Sequence, residues 1–265
     1  MQNLPDFETL LVKIDAMTAY VTLNRPETRN AMNYKMVTEL YDLFTMLKDN
    51  QDIRAVVLSG ADGTFCSGGD IKEMRANPVP ARESGGNLDA MLRACNQASQ
   101  VVIARVEGAA MGGGLGLLCV SDVAIASEDT KFALPEVRLG VAPAFISPFV
   151  LQRMGLTRAR ELMLTGRRFT GTQAYEYGLI HSVAPAGELD YYVEQELYEI
   201  SQCAPGAIAA TKALIFEVLD KSLDETVDYR ANTLNTLRTG DEAQEGMLAF
   251  MEKRSAKWVT SRKRT

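Results

Sequence analysis

Two glycine-rich segments and one glutamate are the residues of this chain whose types and spacing suit chemistry. The first segment is Phe65-Cys66-Ser67-Gly68-Gly69-Asp70-Ile71, and the second is Gly108-Ala109-Ala110-Met111-Gly112-Gly113-Gly114-Leu115-Gly116. The glutamate is Glu136, in Leu134-Pro135-Glu136. Each segment follows a β-like run, residues 54–59 and 101–106, and precedes a stretch able to start a helix. Such a junction presents unpaired backbone N–H groups at a helix N-terminus, where the dipole also favours negative charge. Two of them aimed at one point would stabilise an oxyanion. The plainer reading of either segment alone is a tight turn, for which glycine is the default residue. Neither matches a dinucleotide fingerprint, and no phosphate-loop lysine follows the glycines. Glu136 stands among Leu134, Pro135 and Val137. A partly buried carboxyl has a raised pKa, which suits proton exchange near neutral pH. Its plain alternative is a surface glutamate before a strand or loop.

The elements that must position these residues alternate. Residues 9–14 and 19–23 read as a hairpin around a turn at 15–18. Residues 30–48 carry Met36, Leu40, Leu43, Phe44 and Leu47 at helical spacing. Strands are expected at 53–59, 101–106 and 123–126, giving an α/β core of right-handed ββα-type turns. Residues 77–86 hold two prolines and two glycines and read as a mobile loop. Beyond residue 145 the pattern becomes mostly helical, with capping-box patterns at Thr170–Gln173 and Ser222–Glu225. The chain divides into a core with the active site at 1–195 and a helical region at 196–265, whose apolar faces need a partner.

Composition narrows the function classes. With 46% hydrophobic residues the chain can bury a sizeable core, and a net charge of −6 argues against a general nucleic-acid binder. The end runs the other way, with Lys253, Arg254, Lys257, Arg262, Lys263 and Arg264, and reads as a solvated basic tail or a local phosphate contact. Cys66, Cys95, Cys119 and Cys203 show no metal-ligand spacing and read as buried free thiols of a reducing compartment. No signal peptide or membrane span is visible, so the expected location is the cytoplasm, with no membrane partner. The single histidine, His181, lies in an expected short strand and reads as structural.

Leu23-Asn24-Arg25-Pro26 with Arg29-Asn30-Ala31, the two glycine segments, residues 121–126, and Phe132-Ala133-Leu134-Pro135-Glu136 together resemble the enoyl-CoA hydratase/isomerase (crotonase) superfamily, from about Leu11 to Trp258. Residues 136–150 and the tail at 244–254 resemble its bacterial methylglutaconyl-CoA hydratase branch, most closely the isohexenylglutaconyl-CoA hydratases of acyclic terpene degradation.

The resemblance implies a crotonase-like spiral of ββα turns with a C-terminal helical trimerisation region, assembled as a homotrimer or a dimer of trimers. It implies hydration of a branched, carboxylated enoyl-CoA, with 3-methylglutaconyl-CoA hydration or double-bond isomerisation as alternatives. No cofactor or metal is implied; coenzyme A is part of the substrate. Glu136 becomes the acid/base, and the N–H groups of Ser67 and Gly113 the oxyanion donors. Substrate contacts carried over are Arg25, Arg29, Ala31, Gly68, Gly69 and Asp70, with Asp70 also capping the next helix. Phe250 and Lys253 would reach coenzyme A of a neighbouring subunit.

One departure stands out. Many hydratases of the superfamily carry a second glutamate where this chain has Gly116, although the methylglutaconyl branch also has glycine there. For a distal carboxylate Arg138, Lys72 and Arg75 are available, and Met74, Met111 and Phe145 for an apolar tail.

Overall fold

A computed structural model of the chain describes the backbone of residues 5–76 and 81–259, and their side chains apart from residues 81–87. In chain order the elements are β1 (Leu10–Asp15), β2 (Thr18–Leu23), α1 (Tyr34–Leu47), β3 (Ala55–Gly60), α2 (Ile71–Ala76), α3 (Ala81–Asn96), β4 (Val101–Val106), β5 (Ala109–Met111) and α4 (Gly113–Cys119). There follow β6 (Val123–Ser127), β7 (Lys131–Ala133), a 3-10 turn at Pro135–Leu139, α5 (Ser147–Thr165), β8 (Phe169–Thr170), α6 (Gly171–Glu176), β9 (Ser182–Ala184), α7 (Leu189–Ser201), α8 (Pro205–Val218), α9 (Val227–Thr239) and α10 (Asp241–Glu252).

The larger sheet has the order β1-β2-β3-β4-β6-β9. Only the β1–β2 hairpin is antiparallel; the other neighbours run parallel. Parallel strands are buried on both faces, and the period of two sorts their side chains into two cores. Val56, Leu58, Val102, Ala104, Ala124 and Ala126 enter the main core with α1, α4 and α5. Ala55, Val57, Ile103 and Ile125 enter a second core on the opposite face, closed by Leu189, Val193, Leu197 and Ile200 of α7.

A second, narrower ladder positions the site. The order β5-β7-β8 forms a small sheet, and single bridges join Met32 to Gly69 and Cys66 to Ala110. Each turn of the chain therefore adds one strand to the large sheet and one short step to the narrow ladder. That stacking brings segments near 32, 66–69, 110–113 and 133–136 together from four turns.

Most expected elements are present within a residue or two. In α1 the side chain of Asn33 accepts the Met36 N–H at 2.9 Å, and the expected apolar face is buried. Thr170 and Gln173 form the capping box of α6. Ser222 and Glu225 exchange the same reciprocal bonds ahead of α9, before a turn that delays the helix to Val227.

Three expectations differ. Of the loop at 77–86, residues 77–80 lie outside the described residues and 81–86 are helical. Met91, Leu92 and Cys95 anchor α3 in the core. The division at 195/196 falls inside α7, whose later residues Leu197 and Ile200 belong to the second core. Cys203 is exposed just beyond α7, while the other three cysteines are buried. The described part of the basic tail is solvated as expected, with Lys253, Arg254 and Lys257 exposed; Arg254 pairs with Glu245 at 2.6 Å and holds that carboxyl well below the usual range, at about 2. Arg262, Lys263 and Arg264 lie outside the described residues. Among the described residues no helix is long and apolar enough to cross a membrane.

Candidate active site

The first glycine segment is held from both sides. Arg29 (φ 53°) and Asn30 (φ 55°) take left-handed conformations in succession, an uncommon state for arginine. The buried Asn30 side chain fixes the bend by donating to the carbonyls of Ala61 and Thr64 at 2.9 and 2.6 Å and accepting the Arg25 N–H at 2.9 Å. The bend aims the Arg29 carbonyl at the Ser67 N–H, 3.0 Å away. Ser67 Oγ also donates to the Thr28 carbonyl at 3.0 Å.

This contradicts the assignment of Ser67 as an oxyanion donor, because its N–H is already bonded. In extended chain, successive N–H groups point to opposite sides. The Asp70 N–H bonds the Met32 carbonyl and the Gly68 carbonyl accepts the Met32 N–H, at 2.9 and 2.8 Å. The N–H of Gly69 therefore faces away from Met32, and it has no acceptor among the described residues. Gly69 is exposed, so this donor is open.

The second segment arrives opposite. Gly113 begins α4, where helix geometry leaves the first N–H groups without an intrahelical partner, and its N–H also lacks an acceptor among the described residues. A Cβ built on Gly113 would lie 3.8 Å from the Gly69 nitrogen, and one built on Gly68 3.8 Å from the Gly113 nitrogen. The two open donors are thus neighbours. With only seven residues in α4, the open N–H groups themselves, rather than a long helix dipole, supply the positive potential.

Each glycine of the second segment lies under a group from elsewhere. A Cβ on Gly113 would meet the Met32 methyl at 2.7 Å, and one on Gly114 the Cys66 carbonyl oxygen at 2.6 Å. At Gly112 (φ 48°) it would stand 3.0 Å from Glu136 Oε1. At Gly116 it would lie 2.1 Å from Ile146 Cγ2. The departure at Gly116 thus has a physical reason: Ile146 already fills the space a side chain would need.

Glu136 lies in the 3-10 turn after β7 and reaches back over Gly112. Burial pushes its carboxyl above the ordinary glutamate range, partly offset by its own backbone N–H. Its Oε2 is buried with no hydrogen-bond partner among the described residues. A half-buried carboxyl with one unpaired oxygen, beside two open N–H donors, can accept and return a proton while the donors hold an anionic oxygen.

Comparison with known proteins decides the family. A family model described as enoyl-CoA hydratase/isomerase matches residues 13–261. The "Probable enoyl-CoA hydratase echA8" of Mycobacterium tuberculosis is 34% identical over 254 residues, covering 96% of this chain and 98% of that protein. The chain belongs to the enoyl-CoA hydratase/isomerase family. Its fold is that of the family's solved structures. Pseudomonas aeruginosa AtuE is 44% identical with a TM-score of 0.92, and an enoyl-CoA hydratase/isomerase from Marinobacter aquaeolei is 42% identical with a TM-score of 0.91. Each comparison covers 96% of this chain and 100% of the other.

As a member of this enzyme family, the chain distributes its other expected contacts unevenly. Asp70 caps α2, accepting from the Lys72 and Glu73 N–H groups at 3.1 and 3.2 Å. Burial acts to raise its pKa, but Arg25 at 3.0 Å and these N–H groups outweigh it and hold the carboxyl below its usual range. Arg25 is committed to Asp70 and to the Ala31 carbonyl, at 2.6 Å, so both Arg25 and Ala31 brace the segment. Arg29 is exposed. Phe250, 86% exposed, and Lys253 at the end of α10 lie on the outer surface.

Of the residues considered for a distal carboxylate, Arg138 bonds the Thr165 carbonyl at 3.2 Å, while Lys72 and Arg75 are exposed on α2. Met74, on the same helix, places its sulfur 3.3 Å from a Cβ built on Gly69. His181 is structural: its Nδ1 accepts the Ala124 N–H at 3.0 Å, with Arg153 alongside at 3.3 Å. Sequence reasoning missed the open N–H of Gly69 and the plug formed by Ile146. The first follows from strand alternation once the bridge to Met32 is known; the second has no local sequence signal.

Proposed function

We propose that this enzyme adds water to the double bond of a 2-enoyl-CoA thioester, with Glu136 as its acid/base and the N–H groups of Gly69 and Gly113 as its oxyanion donors. The observation that carries the reading is the half-buried Glu136 carboxyl over Gly112, its Oε2 unpaired among the described residues, beside that donor pair. The thioester oxygen would accept from both N–H groups. As the oxygen of water bonds to the β-carbon, the Glu136 carboxylate takes a proton from that water. The double-bond electrons move toward the thioester, forming an enolate. Glu136 then returns the proton to the α-carbon, leaving a 3-hydroxyacyl thioester and an unchanged carboxylate. The donors act because charge grows on the oxygen in the transition state. One such donor is typically worth about 2.7–4 kcal/mol. Names of relatives support hydration: a crotonyl-CoA hydratase of Syntrophomonas wolfei is 29% identical over 257 residues.

The substrate we propose is a branched, carboxylated ester of the isohexenylglutaconyl-CoA type, with 3-methylglutaconyl-CoA as the shorter alternative. The support is α2, which sets exposed Met74 above Gly69 and carries exposed Lys72 and Arg75. Phe145, also exposed, would extend the apolar surface for the tail. We assign Arg29 to the phosphates of coenzyme A. Phe250 and Lys253 would complete the pocket of an adjacent subunit in a trimer or a dimer of trimers. The exposed apolar residues of α9 and α10, among them Leu234, Met247, Phe250 and Met251, support such an assembly.

A second reading, double-bond isomerisation, is favoured by the lone carboxyl, since one base suffices to carry a proton between the α- and γ-carbons. A peroxisomal dienoyl-CoA isomerase of Arabidopsis thaliana is 29% identical over 279 residues. Mass spectrometry with branched glutaconyl-CoA esters, crotonyl-CoA and a 3-enoyl-CoA separates the readings. Water adds mass; isomerisation moves the double bond without it. Fastest hydration on the branched acids is expected. Isomerisation alone, or preference for crotonyl-CoA, would overturn the assignment.

A further inference from the structure

The first turn of α4 carries two side chains from outside it. Glu136 covers Gly112, and one turn on, joined to it by the bond from the Gly116 N–H to the Gly112 carbonyl at 3.0 Å, Ile146 covers Gly116. Ile146 is 3% exposed. It stands at the cap of α5, where the bond from the Val150 N–H to its carbonyl, at 3.0 Å, fixes its backbone. Its branch at Cβ restricts the side chain to few rotamers, so it cannot readily swing aside.

We propose that Ile146 is a positioning residue for proton transfer: its side chain plugs the volume over Gly116, shuts water and other polar groups out of it, and keeps the neighbouring Glu136 carboxyl in an apolar niche as the only acid of that turn. This rests on the reading of Glu136 as the acid/base.

The surrounding charges leave burial as the dominant influence on that carboxyl. Arg138, on the same 3-10 turn, is turned to the Thr165 carbonyl. Of the charged side chains on α5, Arg153 bonds the carbonyls of Leu179 and Ser121, Arg158 pairs with Glu161, which also meets Arg167, and Arg160 is exposed. On α4 the only titratable group is the Cys119 thiol, pushed up to about 12 by burial and neutral in the working range. On the adjoining β7, Lys131 is exposed. Burial raises the Glu136 pKa, and only its own backbone N–H opposes it. Removing part of the apolar cover should therefore act directly on its titration.

The test uses the full chain labelled at glutamate Cδ and titrated by carbon NMR without substrate, with Glu136→Gln identifying the signal. Ile146→Val keeps the branch and the apolar surface. Ile146→Thr has nearly the shape of the Val variant but places a hydroxyl in the volume over Gly116. Ile146→Ala opens a space that water can enter. The expected order is wild type and Ile146→Val titrating above an ordinary glutamate, at about 4.3, with Thr and Ala moved down toward that value. The acid limb of kcat/KM should move with them. A Glu136 signal titrating alike in all four proteins would overturn the proposal, and so would a Thr variant matching Val. If wild type neither hydrates nor isomerises any ester while the titration order holds, the reaction assignment fails and the positioning role stands.

Discussion

The two glycine segments each leave one backbone N–H open, at Gly69 and at Gly113, but their surroundings are opposite. Around Gly69 the chain is open: the residue is exposed, and a built Cβ would meet only the Met74 sulfur at 3.3 Å. Around Gly114 it is closed, with the Cys66 carbonyl oxygen, Cβ and Sγ at 2.6, 2.7 and 2.9 Å from a built Cβ. The first segment leaves a backbone donor free at the surface of the site. In the second, removing side chains lets Met32, Cys66, Glu136 and Ile146 approach the main chain. A glycine motif therefore does not announce whether its backbone or its missing side chain is what matters; the neighbours decide.

The largest effect is expected from changing a single backbone group. Replacing the Gly69 amide by an ester removes its N–H and adds no bulk. Turnover should fall about 10²–10³-fold, the loss typical of one oxyanion donor, with the melting temperature nearly unchanged. Unchanged turnover would remove Gly69 from the site.

Gly114→Ala tests the closed segment. The new methyl meets a backbone oxygen that cannot move aside, and overpacking of this kind typically costs about 1–3 kcal/mol, occasionally more. Denaturant unfolding should show a loss at the upper end of that range, whereas Gly69→Ala should cost less than about 1 kcal/mol. Equal losses would mean that the two segments do not differ as described.

The same ester replacement at Ser67 should show the reverse pattern to Gly69. It breaks the bond to the Arg29 carbonyl, worth about 0.5–1.5 kcal/mol, and should leave turnover within a few-fold of wild type. A large loss of turnover with little loss of stability would restore Ser67 as a donor.

The smallest effect is expected away from both segments. Burial, with Arg153 beside it, lowers the pKa of His181, so the folded chain favours the neutral ring that accepts the Ala124 N–H. A lowered folded-state pKa means that stability present above about 6.5, the ordinary histidine value, is lost as pH falls from there through the folded value. His181→Gln should flatten that limb of the thermal-stability profile without changing turnover near neutral pH.

The core was legible because its signals are local. The apolar runs of β3, β4 and β6 and the spacing of Met36, Leu40 and Leu43 in α1 each fix an element by periodicity alone. The half-buried setting of Glu136 was legible through its apolar flanks. The donor at 69 was not, because choosing between 67 and 69 depends on what Arg29 and Met32 do across the narrow ladder. Helix at 81–86 was hidden by Gly85 and Gly86, whose weak propensity is overridden by the buried end of the same helix at Met91, Leu92 and Cys95. Ile146 was read only as part of a family motif, since its contact with Gly116 joins residues thirty positions apart.

In the proposed reaction Glu136 alone moves the proton while backbone donors hold the charge. Glu136→Gln keeps the shape and removes the proton transfer. It also replaces a half-buried carboxyl whose raised pKa makes its ionised form unfavourable in the folded chain, so the variant should melt no lower than wild type at neutral pH. The decisive measurement is its turnover on whichever enoyl-CoA ester wild type converts fastest, alongside calorimetric binding of the same ester. We expect a loss of about 10²–10⁴-fold, the contribution typical of general acid–base catalysis, with binding largely kept; turnover near that of wild type would contradict the account.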